Sequence, residues 1–257
     1  MSDGWNPEQY DRFRLQRLEP FWDLLRLIQW APQTRAIDLG CGTGELSVIL
    51  SERLDAEVDA IDSSAAMLEK AMPRASTRVR FRRADIADVK DYSPYDVVFA
   101  HASLQWLPDH EALFARILST MKPGAQLAVQ MPKNQSHVSH SIAHELATEP
   151  PYRAALANYR ASGHGLSLER YAVLLDEHGF REQTAFEKVY GHRLDHSRDV
   201  FEWVKGTLLG GYLNALPEPL RAQFEMQYRE RLARSLGEHS PYFYPFRRML
   251  VYGRKSA

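Results

Sequence analysis

The chain has 257 residues, 44% of them hydrophobic and 25% charged, with a net charge of −1. That balance suits a folded domain with a real core and argues against a disordered chain, and it supplies no global field for nucleic acid or an anionic membrane. The single cysteine, Cys41, rules out an internal disulfide. With no basic-then-apolar leader and no apolar run near the ~20 residues of a membrane span, the expected setting is the cytoplasm.

Asn6-Pro7 reads as the start of a first helix, since Asn caps and Pro suits the first helical position. Leu24, Leu25, Leu27 and Ile28 give this region a buried face, and Pro20 is expected to kink or split it. A regular alternation follows. Residues 36–39 form a short strand that runs into a glycine turn, and 45–54 a helix. Residues 57–61 are a second strand, followed by a helix through Met67 and Leu68 that Ser63 or Ser64 can cap. Residues 79–81 are a third strand. Residues 96–100 are a fourth, with the continuous apolar run of a strand covered on both faces. A helix through Leu113, Ile117 and Leu118 ends near Pro123-Gly124, and 126–131 is a fifth strand.

Residues 133–165 break the pattern and read as a polar lid or helical excursion. A helix at 167–178, a strand at 182–190, helices at 201–213 and 219–236, and a last, antiparallel strand at 242–254 complete the chain. Strands alternating with helices imply a parallel sheet with right-handed crossovers.

The strongest local signal is Asp38-Leu39-Gly40-Cys41-Gly42-Thr43-Gly44, between a strand and a helix. Glycines there let the backbone turn sharply and approach a ligand. The G-x-G-x-x-G dinucleotide pattern would need its third glycine where Glu45 stands, which disfavours a nicotinamide enzyme. A plain strand-to-helix junction would carry similar glycines. Two further carboxylates add weight. Asp62 ends the second strand, where a carboxylate can accept both hydroxyls of a ribose, although it could also cap the next helix. Asp85 follows the third strand, suited to an adenine amino group with Ile86 against the ring, although an isolated turn Asp is commoner. All three acids fall at carboxyl ends of successive strands, where open α/β sheets bind ligands.

With Trp5-Asn6-Pro7 and Tyr10, the 38–44 motif, Ile61-Asp62-Ser63-Ser64, Ala66-Met67-Leu68, Ala84-Asp85-Ile86, the run from Phe99 to His110 and Ala128-Val129-Gln130-Met131-Pro132, the chain resembles the trans-aconitate 2-methyltransferases of the class I superfamily. The resemblance is dense through about Pro132 and thin over residues 133–165. It implies an α/β Rossmann-like class I methyltransferase sheet with helices on both faces, an antiparallel last strand, and helical insertions forming a substrate lid. It implies a single methyltransferase domain over 1–257: an N-terminal lid or helix at 1–30, a cofactor-binding half at 31–132 and a substrate-side half at 133–257. The implied cofactor is S-adenosylmethionine, bound by Asp38, Gly40, Cys41, Gly42, Gly44, Asp62, Ser63, Met67, Asp85, Ile86 and Ala100. The implied reaction esterifies one carboxylate of trans-aconitate and yields S-adenosylhomocysteine.

A carboxylate nucleophile is ionised near neutral pH, so no general base is required. A tricarboxylate does need cationic clamps, and Arg pairs with carboxylates in a planar fork. Arg247, after Tyr244-Pro245-Phe246, is the first choice, with Arg248 the alternate; a solvated surface cation is the competing reading of Arg247. Trp5, Tyr10, Gln105, Trp106, Tyr190, His192 and Trp203 are the other substrate-positioning candidates, with core packing the competing reading for the tryptophans. His137, His140 and His144 share a helical spacing that mimics a metal site, but no nearby cysteine joins them and the reaction asks for no metal. The expected partner is a small carboxylic acid, with neither nucleic acid nor membrane involved. The remaining alternatives are a methyltransferase acting on another small acid, a quinone precursor or a natural product, and a non-catalytic module that keeps the cofactor site.

Overall fold

A computed structural model describes residues 14–159 and 165–257. Among these the chain gathers into two compact units, one of residues 17–132, 165–188 and 248–257, the other of residues 14–16, 133–159 and 189–247. The start of the first helix at Asn6-Pro7 lies outside the described residues.

In the sheet unit, helix α1 (Arg14–Leu25) continues through Pro20 without a break. It buries Phe21, Leu24 and Leu25, and Ile28 is buried just past its end. β1 (Arg35–Leu39), α2 (Glu45–Leu54), β2 (Glu57–Asp62), α3 (Ala65–Ala71), β3 (Val79–Arg83), β4 (Val97–His101), α4 (His110–Thr120) and β5 (Gln126–Pro132) follow in alternation. Ser64, not Ser63, caps α3 by accepting from Met67 N–H at 3.1 Å. β4 is buried at all five positions, as its unbroken apolar run requires of a strand covered on both faces.

The sheet runs β3-β2-β1-β4-β5-β7-β6, where β6 is Phe180–Leu194 and β7 is Tyr242–Lys255. β1 to β5 pair in parallel; β7 is antiparallel to β5, with Gln130 opposite Leu250 and Pro132 opposite Arg248. Two apolar clusters fill the unit, one around Val98, Phe114, Ile117 and Leu175 of helix α7 (Leu168–Glu177), the other around Phe21, Leu50, Phe99 and Leu250. Each such side chain contributes roughly 1.5–3 kcal/mol through burial.

The second unit has its own core, built from Ile142, Phe201, Trp203, Phe224, Tyr228 and Tyr244 among others. Its helices are α5 (Val138–Ala147), α6 (Tyr152–Ala155), α8 (Asp199–Val204), α9 (Gly210–Ala215) and α10 (Glu218–Leu236). The helix expected over 201–213 is interrupted by a π-helical turn, Lys205–Leu209. Gly206, Gly210 and Gly211 explain the irregularity, because glycine is a poor helix former. β6 is longer than the 182–190 expected: its polar residues sit on a sheet edge, where backbone pairing does not need an apolar run. Among the described residues no helix is long and apolar enough to cross a membrane.

Candidate active site

The β1–α2 turn is latched to the end of β2 by main-chain donors. Gly40 and Cys41 N–H both reach the Ile61 carbonyl, at 2.8 and 2.9 Å. Gly42 N–H donates to Asp62 Oδ2 and Ser64 N–H to Asp62 Oδ1, each at 2.8 Å. The outer glycines are set by packing. A Cβ on Gly40 (φ 79°) would lie 2.3 Å from Ser103 Cβ, and one on Gly44 (φ 76°) 2.5 Å from the Phe81 ring. A Cβ on Gly42 would meet nothing within 4 Å among the described residues, so there the middle of the turn leaves space where a ligand can approach the backbone.

Asp38 is buried and accepts from Ser47 Oγ at 2.6 Å. Burial pushes its carboxyl up to about 7, against the Ser47 hydrogen bond and with help from the charge of Asp62. A carboxylate so placed, with one neutral donor, suits a cationic ligand group. Burial and the charges of Asp38 and Asp62 raise the Cys41 thiol, which makes it an unreactive wall. Asp85 is exposed and caps the short turn Ile86–Asp88 by accepting from Ala87 N–H at 2.8 Å, while Ile86 is buried. Met67 and Ala100 are buried and Ser63 is exposed.

Past β4 the chain turns through Ala102 in a left-handed conformation (φ 54°), with Ala102 N–H on the Gln130 carbonyl at 2.9 Å. Ser103 Oγ donates to the Leu39 carbonyl, tying this turn to the end of β1. Gln105 is buried and donates to the Ala102 carbonyl at 2.8 Å; Trp106 is half-buried.

In the helical unit the polar groups meet through side chains. Arg247 N–H donates to Asn134 Oδ1 at 3.1 Å, which turns the Asn134 amide nitrogen toward Tyr244 Oη at 3.3 Å. Tyr244 Oη lies 3.3 Å from Ser139 Oγ. His137 Nδ1 accepts from Ser139 N–H at 3.1 Å and lies 2.9 Å from Ser139 Oγ. Because that nitrogen is already an acceptor, the Ser139 hydroxyl must donate to it. His140 Nδ1, 3.1 Å from the same oxygen, must then carry a proton and donate. Burial and the neighbouring His137 hold His140 down at about 4, so it is neutral near pH 7. His192 stacks on Trp203 with ring centroids 4.5 Å apart, and Tyr190 is buried. His144 is exposed, and no group of three or more His, Cys, Asp or Glu among the described residues is placed to hold a metal ion.

A family model described as a methyltransferase domain matches residues 36–124. The chain is 40% identical over 254 residues to the trans-aconitate 2-methyltransferase of Deinococcus radiodurans, covering 96% of each chain. It is 35% identical over 260 residues to that of Methylobacterium nodulans, covering 100% of each. The chain belongs to the trans-aconitate 2-methyltransferase family. Phosphoethanolamine N-methyltransferase 2 of Haemonchus contortus, solved with S-adenosylhomocysteine, superposes with a TM-score of 0.58. The match covers 93% of this chain and 53% of that one at 16% identity, a likeness of fold alone.

In this trans-aconitate 2-methyltransferase family member, Asp38, the three glycines and Asp62 come together in the sheet unit, while His192 and Trp203 come together in the helical unit. Trp5 and Tyr10 lie outside the described residues. Of the two adjacent arginines, Arg247 is exposed and Arg248 is buried at 4% exposure. Ser103, Gln130, Asn134, Ser139 and Tyr244 were not singled out. Gln130 and Ser103 lie within the matched motifs, and a polar residue inside an apolar strand was the available signal at Gln130. Nothing local to Asn134 marks it, because its partners Tyr244 and Arg247 are about a hundred residues away, and Ser139 is marked locally only by His137 and His140.

Proposed function

We propose that this protein transfers a methyl group from S-adenosylmethionine to a carboxylate of trans-aconitate, giving a monomethyl ester and S-adenosylhomocysteine. The observation that carries the reading is the latch at Asp62, a carboxylate fixed by two backbone donors at the end of β2 beside the open Gly42, in a chain of this family. When bound, S-adenosylmethionine supplies a methyl carbon made electrophilic by a positively charged sulfur. Asp62 would hold the ribose hydroxyls, since each carboxylate oxygen can accept a donor beyond its backbone one. Asp38 would face the methionine ammonium, and Asp85 with Ile86 the adenine. Gly40, Cys41, Gly42, Gly44, Ser63, Met67 and Ala100 would line the remainder.

The acceptor carboxylate is the nucleophile and is ionised at neutral pH. Its oxygen gains the bond to carbon as the carbon–sulfur bond breaks and the electron pair stays on sulfur, so no proton moves. The protein's part is to position and partly dehydrate that oxygen. Gln105, Trp106, Tyr190, His192 and Trp203 are assigned to positioning. Trp5 and Tyr10 are assigned to a lid, and Arg247 to pairing with an acceptor carboxylate. The partner is thus a small carboxylic acid rather than nucleic acid. The lone unreactive thiol fits a reducing cytoplasm.

The test is a labelled-methyl assay with trans-aconitate, cis-aconitate, citrate, isocitrate and a quinone precursor. Label should pass to trans-aconitate and be released by base, as from an ester. If every acid is inert while S-adenosylhomocysteine binds in calorimetry, the donor half stands and the acceptor assignment falls.

A further inference from the structure

Gln130 lies on β5 fully buried, cross-strand from His101 of β4 and from Leu250 of β7. Arg248 is two residues along β7 from Leu250, so it points to the same face, and it too is buried. Its Nη1 lies 3.5 Å from Gln130 Oε1. That contact fixes the amide: the oxygen faces the guanidinium and Nε2 is a donor, which has no hydrogen-bond partner among the described residues. A guanidinium and an unsatisfied amide N–H therefore stand together near the carboxyl ends of β4 and β5, the end of such sheets where ligands bind. Both are donors, and a carboxylate is the group that can accept from both at once.

Resting on the proposed esterification, we propose that Arg248 grips a carboxylate of the acceptor other than the one that is methylated, with Gln130 as its positioning residue and second donor. A carboxylate whose lone pairs are committed to a guanidinium is a poor nucleophile, so the gripped group and the reacting group must differ. The acceptor then needs at least two carboxylates, and its spacing selects which one reacts. Arg rather than Lys fits the role, because the planar fork fixes orientation as well as charge.

The experiment is calorimetric binding of trans-aconitate to enzyme saturated with S-adenosylhomocysteine, for wild type, Arg248→Lys and Gln130→Glu, with turnover of trans-aconitate and of a monocarboxylate, crotonate, in parallel. Gln130→Glu keeps the shape of the amide and supplies Arg248 with an internal carboxylate, so it occupies the guanidinium without emptying the core. Both variants should bind trans-aconitate about tenfold or more weakly and S-adenosylhomocysteine as wild type does, and wild type should leave crotonate unmethylated. Should Arg248→Lys fail to fold, Gln130→Glu carries the test. Folded variants that bind trans-aconitate like wild type, or crotonate turned over as well as trans-aconitate, overturn the grip while leaving the esterification in place. Wild type that binds no trans-aconitate overturns both.

Discussion

Around residues 40–44 the polar contacts run from main-chain N–H groups to the Ile61 carbonyl and the Asp62 carboxylate. Around Ser139 they run chiefly from side chain to side chain, through Asn134, Tyr244, His137 and His140. The first site takes its shape from backbone conformation, so what it cannot tolerate is a Cβ in the wrong place. The second takes its shape from complementary donors and acceptors, so what it cannot tolerate is the loss of one hydroxyl.

The largest expected effect comes from Gly44→Ala. The new Cβ would meet the Phe81 ring at 2.5 Å and Ala71 Cβ at 2.9 Å, at a φ of +76°. Overpacking and left-handed backbone together should cost about 2–4 kcal/mol, read as a fall in the midpoint of denaturant unfolding. Gly42→Ala is the control: with nothing among the described residues within 4 Å of its Cβ, it should pay only the backbone term of about 1–2 kcal/mol. Equal losses at the two positions would show that packing does not set the turn.

Asp62→Asn comes next. An amide in place of the carboxylate points a donor at either Gly42 N–H or Ser64 N–H, and also forfeits charge-assisted bonds worth roughly 1.5–3 kcal/mol each. S-adenosylhomocysteine should bind roughly 10- to 100-fold more weakly in calorimetry. Unchanged affinity would leave Asp62 with a purely structural role.

Ser139→Ala should break the other region. It strands His140 Nδ1–H without its acceptor, and the cost should be about 1–3 kcal/mol of stability. Donor affinity should stay the same, because no contact of Ser139 belongs to the donor site. A variant as stable as wild type would mean that water replaces the hydroxyl at no cost.

The same contrast explains what the sequence disclosed. β4 was legible because an unbroken apolar run must be covered on both faces, and α2 because a glycine turn precedes it. The Asp38, Asp62 and Asp85 positions followed from strand ends, which local patterning locates well. Residues 133–165 read as a polar lid or helical excursion, and helices do stand at Val138–Ala147 and Tyr152–Ala155, but the pairing of Asn134 with Tyr244 depends on a strand more than a hundred residues on. Which of Arg247 and Arg248 is buried was not legible for a related reason. Neighbours on a strand face opposite ways, and which faces inward is set by register with β5, where Pro132 stands opposite Arg248.

The smallest expected effect is a pH dependence that separates the empty site from the filled one. Asp38 titrates at about 7 rather than 3.8, chiefly because burial disfavours its charged form. A raised carboxyl contributes stability that is full below the unfolded value and is lost as pH rises through the folded one, so the ligand-free protein loses this contribution between about pH 4 and 7. A cation beside Asp38 favours the ionised form and reverses the sign. At pH 6 most Asp38 must shed a proton to bind the donor, and at pH 7.5 little of it does, while the donor's own ammonium stays largely charged below ~7.7. Donor affinity should therefore rise about fivefold from pH 6 to pH 7.5. Binding at pH 6 should release nearly one proton, detected as a binding enthalpy that differs between phosphate and an amine buffer. Asp38→Asn should remove both the rise and the buffer dependence. If they persist in that variant, another group titrates, and Asp38 is a structural partner of Ser47 rather than the ammonium's counter-charge.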